Sequence, residues 1–450
     1  MTMLVSIDPA TEIVLKEYPE HSPREVEQRL VAARRAFAAW STRSIAERGL
    51  VLHEAAGILD RDAKHHASLI TSEMGKPTRE ARAEVQKCAT ALRYAAQNAE
   101  ASLAPRELDA RCTIVHEPLG TILGVMPWNF PYWQAVRFLA PALMAGNVAL
   151  VKHASNVTGC LLALEDVLRE ANAQEAMQAL LLSASHVERV IVDARIAGVS
   201  LTGSEAAGRA IGRAAGGALK PTVLELGGSD PFLVMRDADV ASAAREASRA
   251  RCVNGGQSCI AAKRFIVARD IIDDFTEHLV HEMRSLRVGD PTLEVTDVGP
   301  LARGDLRDAV HAQVTRSVAM GARVLTGGAA RAGRGYYYEP TVMTQVTRSM
   351  PVMEEEVFGP VAPIVPFDDE NEAVEIANAT PYGLGASIWT RDAQKGCTLA
   401  PRIHAGMTFV NDQVRSSPER PFGGVKASGF GRELGDEGFR AFVNVRTIVG

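Results

Sequence analysis

The sequence predicts an α/β protein of two units, each built on a parallel sheet and joined near residue 228. Three observations carry that reading. The chain has 450 residues, more than one hydrophobic core usually serves, so two or three packed domains are expected. From Cys112 onward, β-prone runs alternate with helical stretches, the pattern of parallel sheets covered by helices. One such series closes at Gly228 and a second begins after it.

Taken in order, Ser22-Pro23-Arg24-Glu25 supplies an N-cap, a proline at the first helical position and a capping-box acid. Val26, Leu30, Ala33, Phe37 and Trp40 then fall on one helical face. Ser44-Ile45-Ala46-Glu47 repeats the capping signal and opens a long helical stretch ending near Gly75 and Pro77, so the first hundred residues are predicted to be mostly helical. Strands are predicted at 113–116, 121–125, 148–152 and 199–202 in the first series, and at 232–235, 264–267, 361–365 and 386–389 in the second. Gly216-Gly217, Gly327-Gly328 and Gly423-Gly424 read as turns, and no repeat or low-complexity tract interrupts the pattern.

Apolar residues at 46% and charged residues at 23% match ordinary soluble globular proteins. The net charge of -5 comes with scattered basic residues, which makes nucleic acid and anionic membranes poor partners. The arginines between Arg24 and Arg35 alternate with acids and alanines and read as a solvated helix face. Six cysteines lie far apart without metal-ligand spacing, so no metal site is expected and a reducing cytoplasm is the natural compartment. The N-terminus lacks the basic region of a secretory signal, and the longest apolar run, 138–151, is broken by Pro141, Gly146 and Asn147. A soluble, unprocessed protein is expected.

The chemistry lies in a few motifs. No G-x-G-x-x-G stands between a strand and a helix, and Gly429-Phe430-Gly431 misses that spacing. Instead, the strand at 199–202 ends in Gly203-Ser204 and opens a helix through Gly208, where free backbone N–H groups and the helix dipole favour phosphate. Ser204 reads equally as an ordinary N-cap. Asn254-Gly255-Gly256-Gln257-Ser258-Cys259 sets a cysteine after a flexible turn, where its thiol can be exposed; a buried structural cysteine is the alternative. Glu225 sits in an apolar strand-like run, 223–228, where desolvation would raise its pKa towards that of a general base unless a buried partner neutralises it. In Met126-Pro127-Trp128-Asn129-Phe130-Pro131 the Asn129 amide, on a segment stiffened by prolines, can face an oxyanion or simply anchor a turn.

In combination and in this order, these motifs resemble the aldehyde dehydrogenase superfamily over nearly the whole chain. Glu355-Glu356-Val357-Phe358-Gly359-Pro360 and Pro421-Phe422-Gly423-Gly424 complete the match. Lys152-His153-Ala154, residues 226–231 and Gly429-Phe430-Gly431-Arg432-Glu433-Leu434 are most similar to the bacterial succinate-semialdehyde dehydrogenase branch that accepts NAD or NADP. The resemblance implies that Cys259 attacks an aldehyde, that Asn129 and the Cys259 N–H hold the oxyanion, and that Glu225 activates water on the thioester. It also implies that Glu356 and Phe358 hold the nicotinamide end of the cofactor, while Trp128, Lys152, Gly203, Ser204 and Gly208 line the rest.

Family members that prefer NAD often carry a Glu three residues after the motif lysine; here that position is Ser155. A small neutral residue leaves Lys152 free to pair with a 2′-phosphate, so NADP is expected to be accepted, with NAD still usable. Arg137, Arg415, Ser416 and Ser417 are expected to bind the substrate carboxylate, although Val253 stands where better-known members often have arginine. The implied fold is a Rossmann-like cofactor domain (1–103 and 119–227), an α/β catalytic domain (228–427) and a small β extension (104–118 and 428–450). Its exposed edges imply a homodimer or homotetramer by similarity. Transfer of the acyl group to coenzyme A, broad aldehyde specificity, and a catalytically silent nucleotide-binding protein on the same fold are the competing readings.

Overall fold

The computed structural model describes residues 3–173 and 175–450. The strands are β1 (Met3–Asp8), β2 (Ile13–Pro19), β3 (Arg106–Asp109), β4 (Cys112–Pro118), β5 (Thr121–Met126), β6 (Val148–His153), β7 (Met177–Ala179), β8 (Ile196–Thr202) and β9 (Thr222–Glu225). The second half adds β10 (Asp230–Val234), β11 (Ala262–Ala268), β12 (Arg323–Thr326), β13 (Thr341–Thr344), β14 (Val361–Phe367), β15 (Gly385–Trp389), β16 (Met407–Val410), β17 (Gly429–Phe430) and β18 (Val443–Val449). The helices used below are α1 (Pro23–Trp40), α2 (Ile45–Arg61), α3 (Ala63–Met74), α4 (Thr78–Leu103), α5 (Trp133–Met144), α6 (Thr158–Glu170), α7 (Val187–Ile191), α8 (Glu205–Gly217) and α9 (Val240–Cys252).

Two large sheets form. The first runs β17-β9-β8-β5-β6-β7 and the second β12-β13-β14-β11-β10-β15-β16. In both, every pair is parallel except the edge pairs β17–β9 and β12–β13. The strand order of the first sheet reverses between β5 and β8, and ligands of such sheets bind at the carboxyl ends of strands flanking that point. All eight strand segments expected from sequence are present, most of them one to three residues longer. A third sheet, β18-β4-β3, pairs the two extension strands from Val443↔Pro118 to Val449↔Cys112.

Both serine-initiated capping boxes form, with Ser22 accepting from the Glu25 N–H and Ser44 from the Glu47 N–H. The first hundred residues are mostly helical, as expected, and open with a β-hairpin over residues 3–19, β1–β2, whose Leu4 and Tyr18 are buried. Two expectations need correction. The stretch from Ser44 to Gly75 breaks at Asp62, whose φ of -102° and ψ of 18° separate α2 from α3. Part of the C-terminal extension, Gly429–Phe430, joins the first sheet through Gly429↔Glu225. No helix among the described residues is long and apolar enough to cross a membrane.

The aromatic ring of Phe138 on α5 presses on the backbone of β5 at Gly124, where an added Cβ would lie 2.5 Å from Phe138 Cε1. The glycine therefore sets the height of α5 over the sheet. Gly124→Ala should cost about 1–3 kcal/mol through overpacking. Adding Phe138→Leu should recover part of that loss, which denaturant midpoints of the single and double variants measure.

Candidate active site

A cleft of about 620 Å³ opens where the two large sheets meet. Val125 and Met126 of β5, Lys152 of β6, and Leu201 and Thr202 of β8 bring the carboxyl ends of the first sheet to it. Gly227, Cys259, Glu356 and Phe358 arrive from the loops that lead into β10, β11 and β14. The reversal of strand order thus places the cleft at the expected end of the sheet.

Cys259 is held by its loop. Asn254, Gly255 and Gly256 are three consecutive left-handed residues, with φ of 53°, 63° and 78°. A Cβ on Gly256 would lie 2.4 Å from the Gly359 carbonyl carbon, so only glycine lets these backbones touch. The Lys263 ammonium donates to the carbonyls of Ser258 (2.9 Å) and Cys259 (2.7 Å). Burial pushes the Cys259 thiol up to about 12, against the pull of the Arg137 and Lys263 charges. At rest it is a neutral thiol that needs a base.

Asn129 is fixed at both ends. Its Nδ2 donates to the Gln257 carbonyl at 3.0 Å, while Gln134 Nε2 donates to its Oδ1 at 2.9 Å. Asn254 Nδ2 donates to the Asn129 carbonyl at 2.7 Å, which ties the segment after β5 to the loop that carries Cys259. An amide nitrogen carries two hydrogens, so one remains for a ligand.

Glu225 ends β9 and is 2% exposed, and neither carboxylate oxygen has a hydrogen-bond partner among the described residues. Burial holds its pKa well above the usual carboxylate range, with Arg137 and Arg432 opposing and Glu433 adding to the shift. Its neighbours Leu226 and Gly227 line the cleft, but Glu225 itself sits behind the wall. Turning this side chain breaks no hydrogen bond among the described residues.

Of the expected cofactor residues, Trp128, Lys152, Gly203, Ser204, Glu356 and Phe358 all line the cleft. Trp128 and Phe358 meet edge to face, 5.7 Å between centroids. Glu356 Oε1 accepts from the Gly228 N–H at 2.9 Å. Ser204 caps α8, accepting from the Ala207 N–H. Two expected residues lie elsewhere. Gly208 packs α8 onto the sheet: a Cβ there would meet Leu226 Cδ1 at 2.5 Å, so it acts one layer behind the cleft surface. Ser155 is exposed beyond Lys152 and does not line the cleft. Motif reasoning missed the slot between α7 and α8, lined by Val187, Ile191, Ala207 and Ile211, because apolar residues on helices carry no chemical signature.

A second cavity, about 180 Å³, lies on the other side of Cys259, which lines both. Arg137, Arg415 and Ser416 line it, and Ser417 does not. Arg137 lines the cavity and is also anchored by its neighbours. It is 2% exposed and its Nε is hydrogen-bonded to Glu433, its Nη2 donates to Thr202 Oγ1 at 3.1 Å, and its guanidinium covers the Phe422 ring at 4.3 Å. These bonds use two of the five N–H groups of the guanidinium. Arg415 is exposed and paired with Asp412 at 2.5 Å. Motif reasoning also missed Lys87 of α4, which lines this cavity. Its only signal was a lysine between Glu84 and Ala91 on the inward face of a long amphipathic helix.

The model of a family described as the aldehyde dehydrogenase family matches residues 2–448. A succinate-semialdehyde dehydrogenase (NADP+) of Mycobacterium avium is 48% identical over 453 residues, covering 99% of this chain and 96% of that protein. The solved structure of succinic semialdehyde dehydrogenase from Streptococcus pyogenes in complex with NADP+ superposes with a TM-score of 0.97 at 36% identity, covering 99% of both chains. That of an NAD-dependent aldehyde dehydrogenase from Sinorhizobium meliloti gives 0.96 at 32% identity, covering 99% of this chain and 91% of that one.

The raised pKa of Glu225 has a signed consequence for stability. Unfolded, the carboxyl ionises at its ordinary pKa, whereas folded it holds its proton longer, so folding loses stability as pH rises above the unfolded value. Glu225→Gln removes that loss. The variant should melt higher than the wild type at pH 8, with the gap closing at pH 4–5, in paired thermal melts.

Proposed function

The chain belongs to the aldehyde dehydrogenase family, and from that footing we propose that it oxidises succinate semialdehyde to succinate through a thioester on Cys259, using NADP and also NAD. The observation that carries the mechanism is the position of Cys259, on the shared wall of two cavities, one sized for a dinucleotide and one for a short chain. The relative from Mycobacterium avium supports the choice of substrate and cofactor.

The cleft suits a dinucleotide. The slot between α7 and α8 would take the adenine, the N-terminus of α8 at Gly203-Ser204 the diphosphate, and Lys152 a 2′-phosphate. Glu356 would hold the nicotinamide ribose, in the part of the cleft that the Trp128 and Phe358 rings also line. When bound, the cofactor supplies the acceptor for the hydride that leaves the former aldehyde carbon.

The protein's own groups do the remainder. Cys259 gives its proton to the Glu225 carboxylate, which passes it on to solvent, and its sulfur bonds to the carbonyl carbon. The oxygen that gains charge is held by the second Asn129 N–H and the Cys259 backbone N–H. With the hydride gone, the acyl group stays on sulfur as a thioester. Glu225, rotated into the cleft, takes a proton from the attacking water; the carbon–sulfur bond breaks, Glu225 returns that proton to the sulfur, and the acid leaves with the Cys259 thiol restored. An acid retained at 225 favours water over coenzyme A as acceptor. The same reading assigns residues 1–103 and 119–227 to cofactor binding and 228–427 to the nucleophile. The edge strands β18 and β3 are assigned to pairing between subunits of a cytoplasmic dimer or tetramer.

An aldehyde panel with both cofactors tests this. Succinate semialdehyde should show a higher kcat/KM than butanal, and NADP should be accepted; strong rejection of NADP or no preference for the semialdehyde refutes the assignment. Cys259→Ala should abolish turnover while leaving NADP binding intact by fluorescence titration, and persistent turnover would overturn the thioester mechanism.

A further inference from the structure

Lys263 is a buried cation on the middle strand of the second sheet, β11, and is 1% exposed. Burying an ammonium is costly unless hydrogen bonds and a counter-charge receive it. Its Nζ donates to the Ser258 carbonyl at 2.9 Å and to the Cys259 carbonyl at 2.7 Å, while Glu356 Oε1 lies 3.5 Å away. The carbonyls thus take the short bonds and the carboxylate balances the charge. Arg251, also buried, donates to the Gly256 carbonyl at 2.7 Å, so the oxygens along this loop face two cations.

The Ser258 carbonyl belongs to the peptide bond that Ser258 shares with Cys259. A trans peptide is planar, and its C=O and N–H point in opposite directions. Fixing the Ser258 oxygen on Lys263 therefore turns the Cys259 N–H away from the ammonium. The Ala261 N–H also reaches that oxygen, at 3.2 Å, but it belongs to the same loop and cannot anchor it to the sheet. A charge on the carbonyl also polarises the peptide, which makes its N–H a stronger donor. The other oxyanion donor, Asn129, is held separately by Gln134 and by the Gln257 carbonyl.

We infer that Lys263 is a positioning residue that holds the Ser258–Cys259 peptide so that the Cys259 N–H faces the aldehyde oxygen, and ties that donor to a central strand. The inference rests on the thioester reading given above and adds no contact with the substrate. The same charge also favours the ionised thiol. The two effects differ in what they change. Attack on an aldehyde needs both a thiolate and an oxyanion donor, whereas attack on iodoacetamide needs only the thiolate, because the sulfur displaces iodide and no oxyanion forms.

In Lys263→Met, the single-turnover rate of cofactor reduction, with an aldehyde the wild type oxidises, is set against the rate of Cys259 alkylation by iodoacetamide, read at its peptide by mass spectrometry. A misdirected oxyanion donor costs less than a deleted one, so cofactor reduction should fall about 10- to 100-fold more than alkylation. NADP binding should stay within about threefold of the wild type. Lys263→Gln, whose shorter neutral amide cannot span both carbonyls, should shift the same ratio by a smaller factor. A wild-type ratio of the two rates in either folded variant overturns the inference, since the thiolate then accounts for the whole loss. Unchanged cofactor reduction overturns it too. Turnover that persists in Cys259→Ala would remove the thioester reading itself, whereas a failure confined to the Lys263 variants leaves that reading standing.

Discussion

The buried pair of Arg137 and Glu433 ties together three of the elements that surround Glu225 and Cys259. It joins α5 to the C-terminal segment across 296 residues, and both partners reach β8, Arg137 through Thr202 and Glu433 through Ser200 at 3.0 Å. A buried pair of this kind adds little net stability, because desolvation offsets much of the attraction. Removing one member is different: it strands a charge and costs about 3–5 kcal/mol. The pair therefore fixes geometry more than it stabilises. It locks α5, β8 and the segment carrying β17 in one register beside Glu225, and its two charges act in opposite directions on that carboxyl.

Around this lock the site is assembled from groups whose burial disfavours their charged forms. Glu225 has no hydrogen-bond partner, and Cys259 holds its proton. Each is poor as a structural element and useful as a reactant. A carboxyl with a raised pKa can accept a proton near neutrality, and a neutral thiol is reactive only once a base arrives. Rigid surroundings make this tolerable. Asn129, Asn254, Gln257 and Lys263 form a web of backbone and side-chain hydrogen bonds that leaves Cys259 little freedom while Glu225 keeps its own.

What could be read from the sequence follows from how far each feature reaches along the chain. The strands and the capping boxes at Ser22 and Ser44 are local patterns, and they formed where expected. Asn129, Glu225 and Cys259 stood out because an amide, an acid and a thiol are chemically unusual in apolar or glycine-rich runs. The β1–β2 hairpin was missed because its stability comes from burying Leu4 and Tyr18 against later elements, not from its own pattern. Gly208 was misread because a glycine at a helix start can admit a phosphate or a neighbouring side chain, and Leu226 decides which. The partners of Arg137 and Lys87 lie 296 and 329 residues away, a distance over which spacing carries no information.

The shared wall at Cys259 also bears on traffic through the enzyme. Because the large cleft and the small cavity approach the sulfur from different sides, neither reactant has to pass the other, and the architecture imposes no order of arrival. On the proposed mechanism an acyl chain on the sulfur would fill the small side, leaving the large cleft as the route by which water reaches that carbon.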